Sequence, residues 1–186
     1  MSRISFLRHG VTTAGNRYCG SSDVALSEEG LAQMWEAVNG RRWQRIVSSP
    51  LQRCAVFARL LAQRLEVSCL EDSRLREMHF GEWEGYSAAE LMERTPEVLG
   101  AFWNDPLAHP PPGAESLPAL RARVLTLWHE LKAEAGDEGI LLVTHGGPIR
   151  ILLAEQSSRP LSHLMEIEVG YAQLFDTTAL TQTERA

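Results

Sequence analysis

Two histidines stand where an apolar run meets glycine. Arg8-His9-Gly10 closes the run Ile4 to Leu7, and His145-Gly146-Gly147 closes the run Gly139 to Thr144. An imidazole at such a place can serve as nucleophile or as acid and base, and the planar fork of an adjacent arginine matches the oxygens of phosphate or carboxylate. A capped strand end with a solvated arginine is the plain alternative, and a second matching site is what argues against it. Arg53 follows the short apolar segment Arg45 to Ser48, and Glu77 lies in the acidic, aromatic segment Leu75 to Gly85 with Glu82 and Glu84. A nucleophile, cationic clamps and a carboxylic acid make up the requirements of phosphoryl transfer. A metal site is the rival for a set of His, His and Glu. No HExxH or paired-carboxylate spacing supports it, and the arginines would repel a cation.

These groups meet only if the chain brings its strand ends to one edge. Ile4–Leu7 and Gly139–Thr144 read as buried strands, Arg45–Ser48 and Val67–Leu70 as two further short strands, and helical periodicity separates them. Ser27 is an N-cap for a helix carrying Leu31, Met34, Trp35 and Val38, and Gly40 ends it. Ser49-Pro50 reads as the start of a helix with Leu51, Cys54, Ala58, Leu61 and Leu65 facing inward. Ser87 to Glu90 has the form of a capping box, and Thr95-Pro96 opens a further helix toward Trp103. After the break at Pro106 to Gly113, Leu117, Leu120, Val124, Leu127, Trp128 and Leu131 share one face. Ile149 to Ala154 gives a last helix, Leu164 to Asp176 a last strand or two, and Thr177 to Ala186 a polar tail. Alternating strands and helices imply a largely parallel sheet covered on both faces, with ligands at the carboxyl ends of its strands.

The 186 residues are 44% apolar and carry a net charge of −6, which fits one soluble domain. That balance gives no basis for holding nucleic acid or an anionic membrane surface, so an anion site has to be a local cationic pocket. No apolar run approaches the ~20 residues that span a bilayer, and no signal-peptide pattern is present, so a cytoplasmic protein is expected. Cys19, Cys54 and Cys69 lack CxxC spacing and read as reduced thiols. Nothing in the sequence speaks to oligomeric state.

Taken in order, LRHG at 7–10, SSPLQRC at 48–54, LREMHFGEWEG at 75–85 and VTHGG at 143–147 resemble the signatures of the histidine phosphatase superfamily, which also contains the cofactor-dependent phosphoglycerate mutases. The resemblance covers nearly the whole chain. It implies an α/β fold, a three-layer α/β/α sandwich of the phosphoglycerate mutase-like kind, with residues 1–186 as a single domain and a helical excursion and substrate loop at about 86–116. It further implies that His9 is phosphorylated, that Arg8, Asn16, Arg53 and His145 surround the phosphate, and that Glu77 is the proton donor. No metal and no cofactor are implied; the partner is a small phosphate monoester. Val11 departs from the Glu or Gln that often follows RHG.

Within the family the chain most resembles the α-ribazole phosphatases, through EMHFGEWEG, WNDP at 103–106 and PPPGAES at 110–116, where Ala114 replaces a usual glycine. That implies hydrolysis of α-ribazole 5'-phosphate in assembly of the cobalamin nucleotide loop. A broad-specificity sugar phosphatase and a phosphoglycerate mutase are alternatives, the second disfavoured by the compact middle region. A non-catalytic phospholigand-binding module is the rival of another class. It would have no need for a filled nucleophile position and a filled acid position.

Overall fold

The computed structural model describes residues 3–134 and 139–177. In chain order the strands are β1 (Arg3–Arg8), β2 (Arg45–Ser48), β3 (Ser68–Glu71), β4 (Gly139–Thr144) and β5 (Leu174–Asp176). The helices are α1 (Glu28–Ala37), α2 (Gln52–Leu65), α3 (Ala88–Arg94), α4 (Pro96–Asn104), α5 (Leu117–Glu134) and α6 (Gly146–Gln156). The sheet order is β3-β2-β4-β1-β5. β4 pairs in parallel with both β1 and β2, and every one of its residues is buried. That central place explains a strand sequence, GILLVT, with no polar alternation.

Side chains of β4 go alternately to the two faces. Leu141 and Val143 pack with Leu7, Ile46, Met34 and Phe57 under α1 and α2. Ile140 and Leu142 pack with Phe6, Leu120, Val124 and Ile149 under α5 and α6. The result is the three-layer α/β/α sandwich expected from the sequence. Because β1, β2, β3 and β4 are parallel, Arg8 and Thr144 end their strands on the same edge.

Local signals set most helix starts. The Ser27 hydroxyl accepts the Gly30 N–H at 2.9 Å, the Ser87–Glu90 capping box is formed, and Pro96 occupies the first turn of α4. α2 departs from expectation. It begins at Gln52, with Leu51 at the cap, and the Ser49 hydroxyl accepts the Leu51 N–H at 3.3 Å while also meeting His145. β3 runs one residue later than predicted. Between Leu164 and Asp176 only β5 is a strand, and it pairs antiparallel with β1; the Leu161–Glu166 stretch is a 3-10 helix. Most of the polar tail expected from 177 onward lies outside the described residues. No helix among the described residues is long and apolar enough to cross a membrane.

Candidate active site

His9 sits one residue past β1, where the parallel pairing with β4 continues: its N–H donates to the Thr144 carbonyl at 3.0 Å, and its own carbonyl accepts the Ala172 N–H at 3.1 Å. The ring is 2.8 Å from the Gly10 carbonyl through Nδ1. Nδ1 therefore carries the proton, and Nε2 keeps its lone pair. Burial, and then the Arg8 charge, push the imidazole down to about 3; the Gly10 contact pulls upward, and Arg53 adds a smaller downward push. His9 is a neutral, oriented nitrogen base.

His145 follows β4 and is fully buried, with its ring edge-on to His9 at a centroid distance of 5.2 Å. Its Nδ1 accepts the Arg53 Nε–H at 3.1 Å, which leaves Nε2–H to donate to the Ser49 hydroxyl at 2.7 Å. Burial and Arg53 hold it neutral, well below an ordinary histidine. The sequence expectation placed His145 against the phosphate. The structure places it behind His9, off the cavity wall, with both nitrogens spent on Arg53 and Ser49.

Arg53 is 1% exposed and ties the loop before α1 to the site. Nη1 donates to Ser22 O, and Nη2 to Cys19 O and Gly20 O, at 2.7 to 2.9 Å. Arg8 is engaged differently. One Nη1–H goes to Val169 O at 2.7 Å, the guanidinium lies 4.0 Å over the Tyr171 ring, and the buried Nε has no hydrogen-bond partner among the described residues.

Of the three clustered glutamates the structure brings one to the site. Both oxygens of Glu77 accept the Gly147 N–H at 3.1 Å, at the start of α6, and Oε1 also accepts the Met78 N–H at 2.8 Å. A β-carbon on Gly147 would fall 2.2 Å from Oε1, so the second glycine of the HGG run is what admits the carboxyl group. Glu84 is consumed elsewhere, by Gly20, Ser21, Ser22 and Phe80. Glu82 is exposed and does not line the cavity.

Arg8, His9, Asn16, Arg53, Glu77 and Arg150 line a cavity of about 280 Å³. Phe80, Phe102, Leu117, Leu120, Leu164 and Met165 also line it. Among the described residues, no group of three or more His, Cys, Asp or Glu is placed to hold a metal ion. Trp83 and Trp128 are core residues, and Trp103 is 40% exposed, donating to the Tyr18 hydroxyl at 3.3 Å.

Sequence reasoning missed several groups. Arg123 on α5 donates to the carbonyls of Arg74, Arg76 and Glu77 while paired with Glu115, and so fixes the segment that carries Glu77. Arg150 on α6 and Tyr171 before β5 reach the cavity, and Ser49 orients His145. Arg150 lies three residues past Gly147, so helical spacing alone could have marked it.

A parallel sheet that gathers Arg8, His9, Arg53 and Glu77 at its carboxyl edge defines a phosphate-handling α/β protein. The chain belongs to the histidine phosphatase superfamily, branch 1, whose profile matches residues 4–184, and as a member of it the protein is a phosphatase. It is 35% identical over 173 residues to a glucosyl-3-phosphoglycerate phosphatase of Mycolicibacterium vanbaalenii, covering 87% of this chain and 76% of the relative. The native structure of a mycobacterial glucosyl-3-phosphoglycerate phosphatase superposes with a TM-score of 0.85 at 33% identity, covering 95% of this chain and 89% of that one. The α-ribazole phosphatase of Shigella flexneri superposes with a TM-score of 0.77 at 25% identity, covering 92% and 88%.

Proposed function

We propose that the protein hydrolyses a small phosphate monoester through a phosphohistidine on His9. The observation that carries this reading is the His9 ring itself, whose Nδ1–H is given to Gly10 while Nε2 stays unprotonated, in a residue that lines the same cavity as Arg8 and Asn16. The Nε2 lone pair attacks phosphorus as the ester P–O bond breaks, and the Glu77 carboxyl gives its proton to the departing oxygen. Water then attacks the phosphoryl group with Glu77 taking its proton, the P–N bond breaks, and phosphate leaves. Arg8 and Asn16 hold the phosphoryl oxygens from the cavity wall, and Arg53 and His145 fix the geometry behind them.

For the leaving group, α-ribazole 5'-phosphate is supported by the apolar wall of Phe80, Phe102, Leu117 and Leu120, which suits a flat base. A second reading rests on Arg150. It is largely buried, spends Nε on the Ile167 carbonyl, and has no carboxylate partner among the described residues. A leaving group with its own carboxylate would meet it, as in glucosyl-3-phosphoglycerate, the ester for which the mycobacterial relatives are named.

The test is phosphate release, with chelator present, from α-ribazole phosphate, glucosyl-3-phosphoglycerate, sugar phosphates and a nitrophenyl ester. Rapid-quench labelling runs alongside. Acid-labile label on His9 is expected. Label on another residue type, or labelling unchanged in His9→Ala, refutes the mechanism. Transfer of the phosphoryl group to a second hydroxyl in place of water would make the protein a mutase.

A further inference from the structure

Arg8 and Arg53 face the same cavity but are held by opposite means. Arg53 is held by hydrogen bonds from Nε, Nη1 and Nη2, which commit each of its nitrogens to the protein. Arg8 makes a single side-chain hydrogen bond, through Nη1 to Val169 O, and no carboxylate among the described residues pairs with it. A long side chain held at one point would swing about that point. What stops it is a ring: the guanidinium carbon lies 4.0 Å from the centroid of Tyr171.

The choice of partner has a chemical consequence. A carboxylate would fix Arg8 equally well, but it would occupy the N–H fork and cancel the charge that a phosphate needs. An aromatic face fixes the plane of a guanidinium through its quadrupole and by stacking, and leaves every N–H free in that plane. The buried Nε, without a partner, is the visible result. A β-carbon on Gly146 would lie 3.7 Å from it.

The segment that presents Tyr171 is itself anchored to the nucleophile. Arg8 N–H donates to Gln173 O and Ala172 N–H to His9 O, each at 3.1 Å. Ala172 adopts a positive φ of 51°, and the turn is closed by Gly170 N–H donating to the Gln173 side-chain oxygen at 2.6 Å. The same turn supplies Val169 O. Tyr171 also lies 5.8 Å, centroid to centroid, from the His9 ring, and it lines the cavity.

From this we infer that Tyr171 is a positioning residue: it holds the Arg8 guanidinium in one plane so that Nη2, which makes no hydrogen bond among the described residues, is presented to the phosphoryl oxygens. The inference rests on the phosphatase reading and adds to it a residue that touches no reacting atom. It assigns the function to the ring face and none to the hydroxyl.

Inorganic phosphate is the probe, because it occupies the phosphoryl position with no leaving group attached. Its inhibition constant and the KM and kcat for a nitrophenyl ester are measured for Tyr171→Phe and Tyr171→Leu, with thermal melts to show that each variant is folded. Tyr171→Phe should stay within about two-fold of the unaltered protein, and Tyr171→Leu should weaken phosphate and raise KM by about ten-fold, the scale of one partly desolvated cation–π contact. The decisive arm repeats Tyr171→Leu in an Arg8→Lys background. An ammonium has no plane to orient, so there the change should cost less than about two-fold. An equal loss in both backgrounds, an equal loss for Phe and Leu, or no loss for Leu overturns the inference. If the unaltered protein released no phosphate from any ester, the phosphatase reading itself would fall, and that result is seen before any variant is made.

Discussion

Gly10 and Gly30 are packed back to back. A β-carbon on Gly10 would fall 2.1 Å from the Gly30 carbonyl oxygen, and one on Gly30 would fall 2.0 Å from the Val11 carbonyl oxygen. Gly10 has no positive φ, so close approach is what requires glycine there. The first turn of α1 is thus the surface against which the chain directly after His9 is pressed. Gly30→Ala should cost about 1–3 kcal/mol by overpacking and lower kcat as His9 shifts. Gly100→Ala, in the open on α4, is the control and should leave both unchanged or raise stability slightly. Thermal midpoints and kcat for the two variants check this.

Acid should destabilise the protein in a particular window. His9 titrates at about 3 when folded, chiefly through burial, against 6.5 when unexposed to these effects. Between those values the unfolded chain takes up a proton that the folded chain refuses. Stability is therefore complete above pH 6.5 and falls as pH drops, by about 1.4 kcal/mol per pH unit for each such histidine. His145, held low by burial and Arg53, adds to the slope in the same direction. Urea midpoints between pH 7 and 4.5 should show the decline, and His9→Asn should flatten it.

Glu77→Gln separates acid catalysis from binding. A sugar alkoxide needs a proton as it leaves, whereas nitrophenolate departs well without one. Single-turnover phosphoenzyme formation should fall by about 10²–10⁴ for the sugar ester and far less for the nitrophenyl ester. Glu82→Gln, at an exposed position off the cavity, should change neither. A leaving-group bias appearing in the Glu82 variant would move the acid to that residue.

Glu84 is a structural anchor with a catalytic consequence. Burial alone would raise its carboxyl pKa, yet the Ser22 hydroxyl and the N–H groups of Phe80, Ser21 and Ser22 hold it below the ordinary value. Cys19, Gly20 and Ser22 are also the carbonyl partners of Arg53. Glu84→Ala leaves those N–H groups unpaired and should cost about 1–3 kcal/mol, with KM raised through Arg53. Denaturation together with steady-state kinetics tests both halves.

Strand and helix order, the sandwich and the meeting of Arg8, His9, Arg53 and Glu77 were legible because each is written locally. An apolar run, a cap or a glycine marks them within a few residues. Glu77 was set apart from Glu82 and Glu84 by the family resemblance alone; the physical difference, which backbone N–H groups lie opposite each carboxylate, is visible only in the folded chain. His145 was recognised as part of the site, but its facing was not legible. Its two nitrogens are claimed by Ser49 and Arg53, at the start and in the first turn of the same helix region, and only tertiary packing decides that. Tyr171 left no trace, because an irregular turn that folds back 160 residues later has no period to read.

The cavity draws its lining from two kinds of chain. Arg8, Arg53 and Arg150 stand on or beside β1, α2 and α6, which pack on the sheet, whereas Phe102 and Pro106 come from an excursion that contributes no strand. Substitution at Phe102 or Pro106 would therefore reshape the cavity while leaving untouched the sheet edge that carries Arg8, His9 and Arg53.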